Sequence, residues 1–503
     1  MHLPDHLFPV PRMAMIRKYY IPDQLLKIQT FKHLVSRGWD QIKLNYTDMD
    51  IINQFSKIAE NYLSGINRNP VFPSTDSLKQ LQHLNESLQE NPVSADDILN
   101  LLDAKGSPAT VKSTGGRYFG FVVGGSLPAA MMAKLLATVW DQNACLYVMS
   151  PVAALLEEIS SAWLVDIMGL SKQTAVGFVT GATMANFTAL AAARHELLRK
   201  AGWNVEDQGL FHAPEITIIT GDEVHVSLLK ALNMVGFGRE RIIRVPTDEQ
   251  GRIIPEKIPE TKGPTILCLQ AGNVNTGSFD PIEEICRNKK EDVWIHVDGA
   301  FGLWAAASAK TKHLVKGIEL ADSLATDAHK WLNVPYDIGL LFVKNQKSLF
   351  SAVSSSAAYL PEISKREPFQ FVPDMSREAR GIPVWAALKS LGKKGLADLI
   401  DRNCASARQF AEGLRGAGFE VLNEVVLNQV LVSFGDSATT QEVIKKIQEE
   451  GTCWCGGTTW HGKTAMRISV SSWATTELDV KISLAAMLKV AGEVINRMKR
   501  KKS

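Results

Sequence analysis

The sequence predicts an α/β fold: a central, mostly parallel sheet with helices on both faces, a helical N-terminal arm before it and a small α+β domain after it. Three observations predict it. Between residues 113 and 347, short β-branched and apolar runs alternate with helical stretches, the pattern of parallel βα units. Those runs are short and mostly apolar, which suits strands buried on both faces. The chain has 503 residues, beyond the size at which a single core stops growing, so more than one packed unit is expected.

Taken in order, residues 1–105 form the expected arm. From Ile21 to Leu102 apolar residues recur at three- and four-residue spacing, as in Asp48 to Leu63 and Thr75 to Leu88, which predicts helices. Pro70, Pro73 and Pro92 interrupt them, so they suit a surface, such as that of a partner subunit, better than a compact bundle. The large α/β domain is expected over 106–380. Its strands are expected at Ala175 to Val179, Glu215 to Thr220, Arg241 to Val245, Thr265 to Gln270, Val293 to Val297, Ser323 to Thr326 and Gly339 to Val343. The small domain is expected over 381–503, with a helix from Pro383 through Lys394 and another from Leu396 to Arg415. Strands near Gln429 to Phe434 and Met466 to Val470 and a last helix from Glu477 to Met498 complete it.

Composition narrows the function. Lys plus Arg is 55 against 53 for Asp plus Glu, a formal charge of +2 that offers no large field for nucleic acid or an anionic membrane. A small molecule is the expected partner. The basic cluster Arg497, Lys499, Arg500, Lys501 and Lys502 reads as a solvated helix end. Six cysteines lack the density of a disulfide scaffold, and Cys453 and Cys455 have no second pair nearby, so no metal site is expected. Pro4, Asp5, Pro9 and Pro11 stand where a signal peptide needs an apolar run, and no uninterrupted apolar stretch of about 18 residues follows, so a cytoplasmic location is expected.

In open sheets of this kind ligands bind beyond the carboxyl ends of the strands, and three segments there carry chemistry. Gly181-Ala182-Thr183 follows the first strand and opens a helix, where free N–H groups and the Thr183 hydroxyl suit a phosphate or an ordinary cap. His296-Val297-Asp298-Gly299-Ala300 ends the fifth strand, and alternation puts His296 and Asp298 on one side. A carboxylate emerging from a buried strand needs a cationic partner or a capping role. Asp327-Ala328-His329-Lys330-Trp331 follows the sixth. Trp331, Leu332 and Val334 are expected to desolvate Lys330 and free its amine for imine formation.

These segments give the chain its likeness to a known family. Ala328-His329-Lys330-Trp331-Leu332 is similar to the Schiff-base motif of the group II pyridoxal-phosphate decarboxylases, which include aromatic amino acid, histidine and glutamate decarboxylases. Trp294 to Gly302, Ser150-Pro151 followed by Glu157, Thr180 to Asn186, and Asp222 to Ser227 resemble further family motifs, in the family's order. The resemblance implies a fold-type I, PLP-dependent transferase-like architecture, pyridoxal 5'-phosphate as cofactor and a cytoplasmic homodimer with its active sites at the interface. It implies that Lys330 carries the cofactor as a Schiff base, Asp298 holds the pyridine nitrogen protonated and His225 stacks on the ring. By the same likeness Ala182 and Thr183 bind the phosphate beside His329, and Ala300 packs beneath the ring. The substrate pocket would include Phe121 with Val122, and Arg467 is placed to clamp a carboxylate or to form an ion pair between domains.

The implied activity is decarboxylation of an L-amino acid to the amine and carbon dioxide. In several family members a loop tyrosine takes part in returning the proton to Cα. The matching stretch, Ser364 to Arg380, has no tyrosine but contains Phe369 and Phe371, with Tyr359 upstream and Tyr336 after the lysine motif. In the family, phenylalanine in place of that tyrosine accompanies oxidative decarboxylation and deamination to an aldehyde, which is therefore the second reading. An aminotransferase of the same fold and a non-catalytic protein are the remaining alternatives.

Overall fold

The structure, a computed structural model, describes residues 49–354 and 366–502. The first part of the expected arm, from Ile21 to Asp48, lies outside the described residues, and so does Tyr359. Within them the arm contributes helices at Met49–Gly65, Thr75–Gln80 and Ala95–Leu101.

Seven strands build the large sheet: β1 (Ala175–Val179), β2 (Thr217–Gly221), β3 (Ile242–Val245), β4 (Thr265–Gln270), β5 (Val293–Asp298), β6 (Ser323–Asp327) and β7 (Gly339–Val343). Their order is β1-β7-β6-β5-β4-β2-β3, parallel except for β7, which runs antiparallel to both neighbours. All seven expected runs are strands. The helix Ala182–Lys200 lies along one face, where Ala185, Ala189, Ala192 and Ala193 let its backbone come close to the sheet. The other face packs on Trp304, Trp331, Phe178 and Phe342, all buried.

A second sheet, in the order β10-β11-β9-β8, is antiparallel throughout: β8 (Glu420–Val421), β9 (Gln429–Ser433), β10 (Gly456–Trp460) and β11 (Lys463–Ser469). The helices Ser437–Glu450 and Glu477–Lys502 cover it. Two helices were expected between Pro383 and Arg415. They form one element, Gly381–Gly416, broken at Gly392, whose φ of 58° puts the kink before the expected boundary at Lys394. From Val384 through Cys404 it packs in the large core, and from Ala407 to Leu414 in the small one.

Side-chain hydrogen bonds also join the two units. Trp331 Nε1 donates to Asn403 Oδ1 at 2.8 Å, Asn333 Nδ2 donates to the Ser471 carbonyl at 3.0 Å, and the Trp473 N–H donates to Asn333 Oδ1 at 2.9 Å. No helix among the described residues is long and apolar enough to cross a membrane.

The motif Ser150-Pro151 opens the helix Pro151–Ile167, with Ser150 as its cap. On that helix Glu157 is buried and receives Arg377 Nη2 at 2.7 Å, with Arg366 Nη2 at 3.8 Å. Glu157 thus anchors the segment that carries Arg366 and Arg377. Replacing it strands two buried guanidinium groups, so Glu157→Ala should cost about 3–5 kcal/mol of stability, read as a lower denaturation midpoint in urea.

Candidate active site

The chemical residues gather at the carboxyl ends of the central strands. Asp298 ends β5 and Asp327 ends β6, Gly181 follows β1, and His225 follows β2 and caps the helix Val226–Met234. Asp298, His225, Lys330 and Asp327 lie close enough for their charges to act on one another.

Lys330 Nζ sits 2.9 Å from Asp327 Oδ2. The expectation that Trp331, Leu332 and Val334 desolvate this amine is corrected. Those three side chains are buried in the large core, while the lysine keeps a fifth of its side chain exposed and pairs with a carboxylate. Asp327 was given no role in the sequence reading, yet it organises the lysine end of the site. Its Oδ1 accepts the Ala182 N–H at 2.6 Å and lies 3.7 Å from His329 Nε2. At this helix end the Ala182 donor is therefore engaged, and the Thr183 N–H and hydroxyl are the groups that remain for a phosphate.

His329 is held by Ile338, whose carbonyl oxygen lies 2.9 Å and whose N–H lies 3.2 Å from His329 Nδ1, and its ring packs against Tyr336 with centroids 4.3 Å apart. Tyr336 is fixed from both sides: Lys134 Nζ donates to its carbonyl, and Arg380 Nε donates to the next carbonyl, that of Asp337, at 3.2 Å. Burial pushes the Tyr336 phenol up to about 12, with the Asp327 charge adding to the effect. Burial lowers both His329 and His225, so each is neutral near pH 7.

Asp298 is buried beneath the cleft. Its Oδ1 accepts the Ala300 N–H at 3.1 Å and its Oδ2 accepts Asn186 Nδ2–H at 2.9 Å. Burial raises its pKa, opposed by His225, Lys330 and Asn186. Next to it His296 is completely buried and pushed down to about 3.

Over the lysine lies the loop from Phe121 to Gly125. A side chain at Gly124 would come within 1.7 Å of the Lys330 carbonyl oxygen, so only glycine lets the loop rest there. Val122, expected to face the pocket, is buried in the large core. Phe121 is 60% exposed and stacks on Trp454, which stacks in turn on Tyr118. Arg467, on β11, lies near enough to lower His225. Its hydrogen-bond partner is Asn275 Oδ1 at 3.4 Å, and it has no carboxylate partner among the described residues, so the interdomain ion pair is not formed there.

Phe369 and Phe371 are both buried. Phe369 packs with Cys145 and Leu146, and Phe371 meets Phe350 edge-on, so neither stands in the cleft. Cys453 and Cys455 are buried in the small core, and no metal-ligand cluster occurs among the described residues.

Residues 78–435 match the family model described as the pyridoxal-dependent decarboxylase conserved domain. The chain belongs to the pyridoxal-dependent decarboxylase family. It is 27% identical over 469 residues to an aromatic-L-amino-acid decarboxylase of Bacillus atrophaeus, covering 88% of this chain and 94% of the relative. It is 28% identical over 331 residues to an acidic amino acid decarboxylase of Bos taurus, covering 63% of each. Among solved structures, Catharanthus roseus tryptophan decarboxylase in complex with L-tryptophan superposes with a TM-score of 0.80 at 21% identity, over 90% of this chain and 99% of that one. The likeness shows a shared fold. The cofactor of the decarboxylase family is pyridoxal phosphate, and the site fits it. A buried carboxylate without a cation in contact suits a pyridinium N–H, an open helix N-terminus suits a phosphate, and a partly exposed lysine lies between them.

The depressed His296 also makes a prediction about stability in acid. The unfolded histidine takes up a proton near pH 6.5, the folded one only near 3, so between these values the unfolded chain binds more protons and stability falls as the pH drops. Calorimetric Tm should decline over this window, and His296→Gln should flatten the decline.

Proposed function

We propose that the protein decarboxylates an L-amino acid to the amine and carbon dioxide, with aromatic side chains preferred. When bound, pyridoxal phosphate supplies an electron sink for the pair left when the Cα–carboxylate bond breaks. Lys330 would hold the cofactor, with Asp327 keeping the lysine in place. Asp298 would keep a proton on its ring nitrogen, His225 and Ala300 would pack against its ring, and Thr183 and His329 would bind its phosphate. Arg467 receives a carboxylate of the incoming substrate. Phe121, Trp454 and Tyr118 form an aromatic wall suited to an aromatic side chain.

The observation that carries non-oxidative decarboxylation is the tyrosine packed on His329. Tyr336 supplies a phenol, protonated at neutral pH, beside the lysine motif, which suits return of a proton to Cα. Phe369 and Phe371, the residues that favour the second reading, aldehyde formation, are buried in the core.

We also propose that the protein acts as a homodimer. Leu136, Val139 and Trp140 on the helix Pro128–Trp140 are exposed, together with Val148, Met149 and Leu155 nearby, a surface that a second copy would cover.

The direct test incubates the protein with pyridoxal phosphate and a panel of aromatic, acidic and basic amino acids, with and without oxygen, and follows carbon dioxide, amine, aldehyde and peroxide. Amine without oxygen uptake is expected, fastest with aromatic substrates. Aldehyde, ammonia and peroxide formed only in air would sink the proposal. Tyr336→Phe should lower amine formation by about 10²-fold or more, the usual size of a lost general acid, while the cofactor stays bound. Arg467→Gln should raise KM roughly tenfold without lowering kcat, because the carboxylate it holds in the bound substrate loses its charge as carbon dioxide forms.

A further inference from the structure

Behind Asp298 runs a chain of buried side chains that the mechanism does not use. Trp294 Nε1 contacts Ser323 Oγ at 2.8 Å, Ser323 Oγ contacts His296 Nδ1 at 2.9 Å, His296 Nε2 contacts Asn186 Oδ1 at 2.8 Å, and Asn186 Nδ2 contacts Asp298 Oδ2 at 2.9 Å. All five residues are buried. Trp294, His296 and Asp298 alternate on β5, Ser323 pairs with His296 across β6, and Asn186 comes from the second turn of the helix on that face.

The carboxylate end of this chain fixes its protons. An ionised Asp298 only accepts, so the Asn186 amide N–H donates to it and Asn186 Oδ1 is left to accept from His296 Nε2–H. The neutral imidazole then presents a bare Nδ1 that accepts from the Ser323 hydroxyl, while Ser323 Oγ accepts the Trp294 indole N–H, which can only donate. Turning the Asn186 amide over would set its carbonyl against the carboxylate in a dry interior, where an unmet polar group costs about 1–3 kcal/mol.

We propose that Trp294, Ser323, His296 and Asn186 are positioning residues that form a one-way hydrogen-bond relay, holding Asp298 as an ionised acceptor aimed at the cofactor's ring nitrogen. This rests on the assignment of Asp298 to that nitrogen. The relay explains why a histidine is spent in the sheet interior without reaching the cleft. It also gives Ser323, two side chains removed from Asp298, an influence on cofactor binding. Without the Ser323 hydroxyl, His296 Nδ1 loses the donor that favours a proton on Nε2, and the hold of His296 and Asn186 on Asp298 is weakened.

The test measures the dissociation constant of pyridoxal phosphate, the absorbance maximum of the bound cofactor and the Tm of the apo-protein for Ser323→Ala, Ser323→Thr, Asn186→Leu and Asp298→Ala. Ser323→Ala should weaken cofactor binding about tenfold, the value of one lost charge-assisted hydrogen bond, and shift the absorbance maximum. Ser323→Thr, which keeps the hydroxyl, should restore both, and Asn186→Leu should weaken binding at least as much as Ser323→Ala. If Asp298→Ala weakens binding but Ser323→Ala leaves affinity and spectrum unchanged, the relay is wrong and the role of Asp298 stands. If Asp298→Ala changes neither, both fall. Independently of any variant's folding, NMR of the wild-type protein labelled with ¹⁵N-histidine should find His296 protonated on Nε2 alone, and a proton on Nδ1 would overturn the proposal.

Discussion

The site is arranged around a carboxylate withdrawn from water. Asp298 ends a central strand, and an isolated charge in that position costs several kcal/mol unless something cationic meets it. A pyridinium nitrogen is such a partner, so the demand of the apo-protein and the chemistry of the cofactor coincide. The surroundings follow from this. One oxygen is held by the Ala300 N–H and the other by Asn186. Lys330 is balanced by a carboxylate of its own, Asp327.

The strands of the large sheet were legible in the sequence because burial on both faces leaves little room for polar residues. The runs Ala175–Val179, Thr265–Gln270 and Gly339–Val343 begin and end where they were expected. The small sheet was half legible. Gly456–Trp460 is built from Gly, Gly, Thr and Thr, with alternating exposure and no apolar run to reveal it, and the helix Ser437–Glu450 buries only a narrow stripe. The break in the long helix was expected at Lys394, but Gly392 takes it because only glycine adopts that backbone without strain.

For the site, sequence motifs located the lysine, the strand-end acid and the helix end, since each sits at a fixed offset from a strand. What they missed was partnership over long separations. Asp327 meets Ala182 across 145 residues and Asn186 meets Asp298 across 112, and no spacing rule joins such pairs. Alternation on β5 did offer a signal, because Trp294 shares the side of His296 and Asp298. Phe369 and Phe371 gave no such signal: their place in the stretch matched to the family's loop says nothing of burial, and Arg366 lying over the Phe371 ring helps to pin them to the core.

The bonds from Trp331 and Asn333 to Asn403, Ser471 and Trp473 tie the lysine turn itself to the small unit. The lysine turn is thus shared between the two units, so a substitution at Asn403, which touches nothing in the cleft, would be felt at Lys330 through its neighbour Trp331.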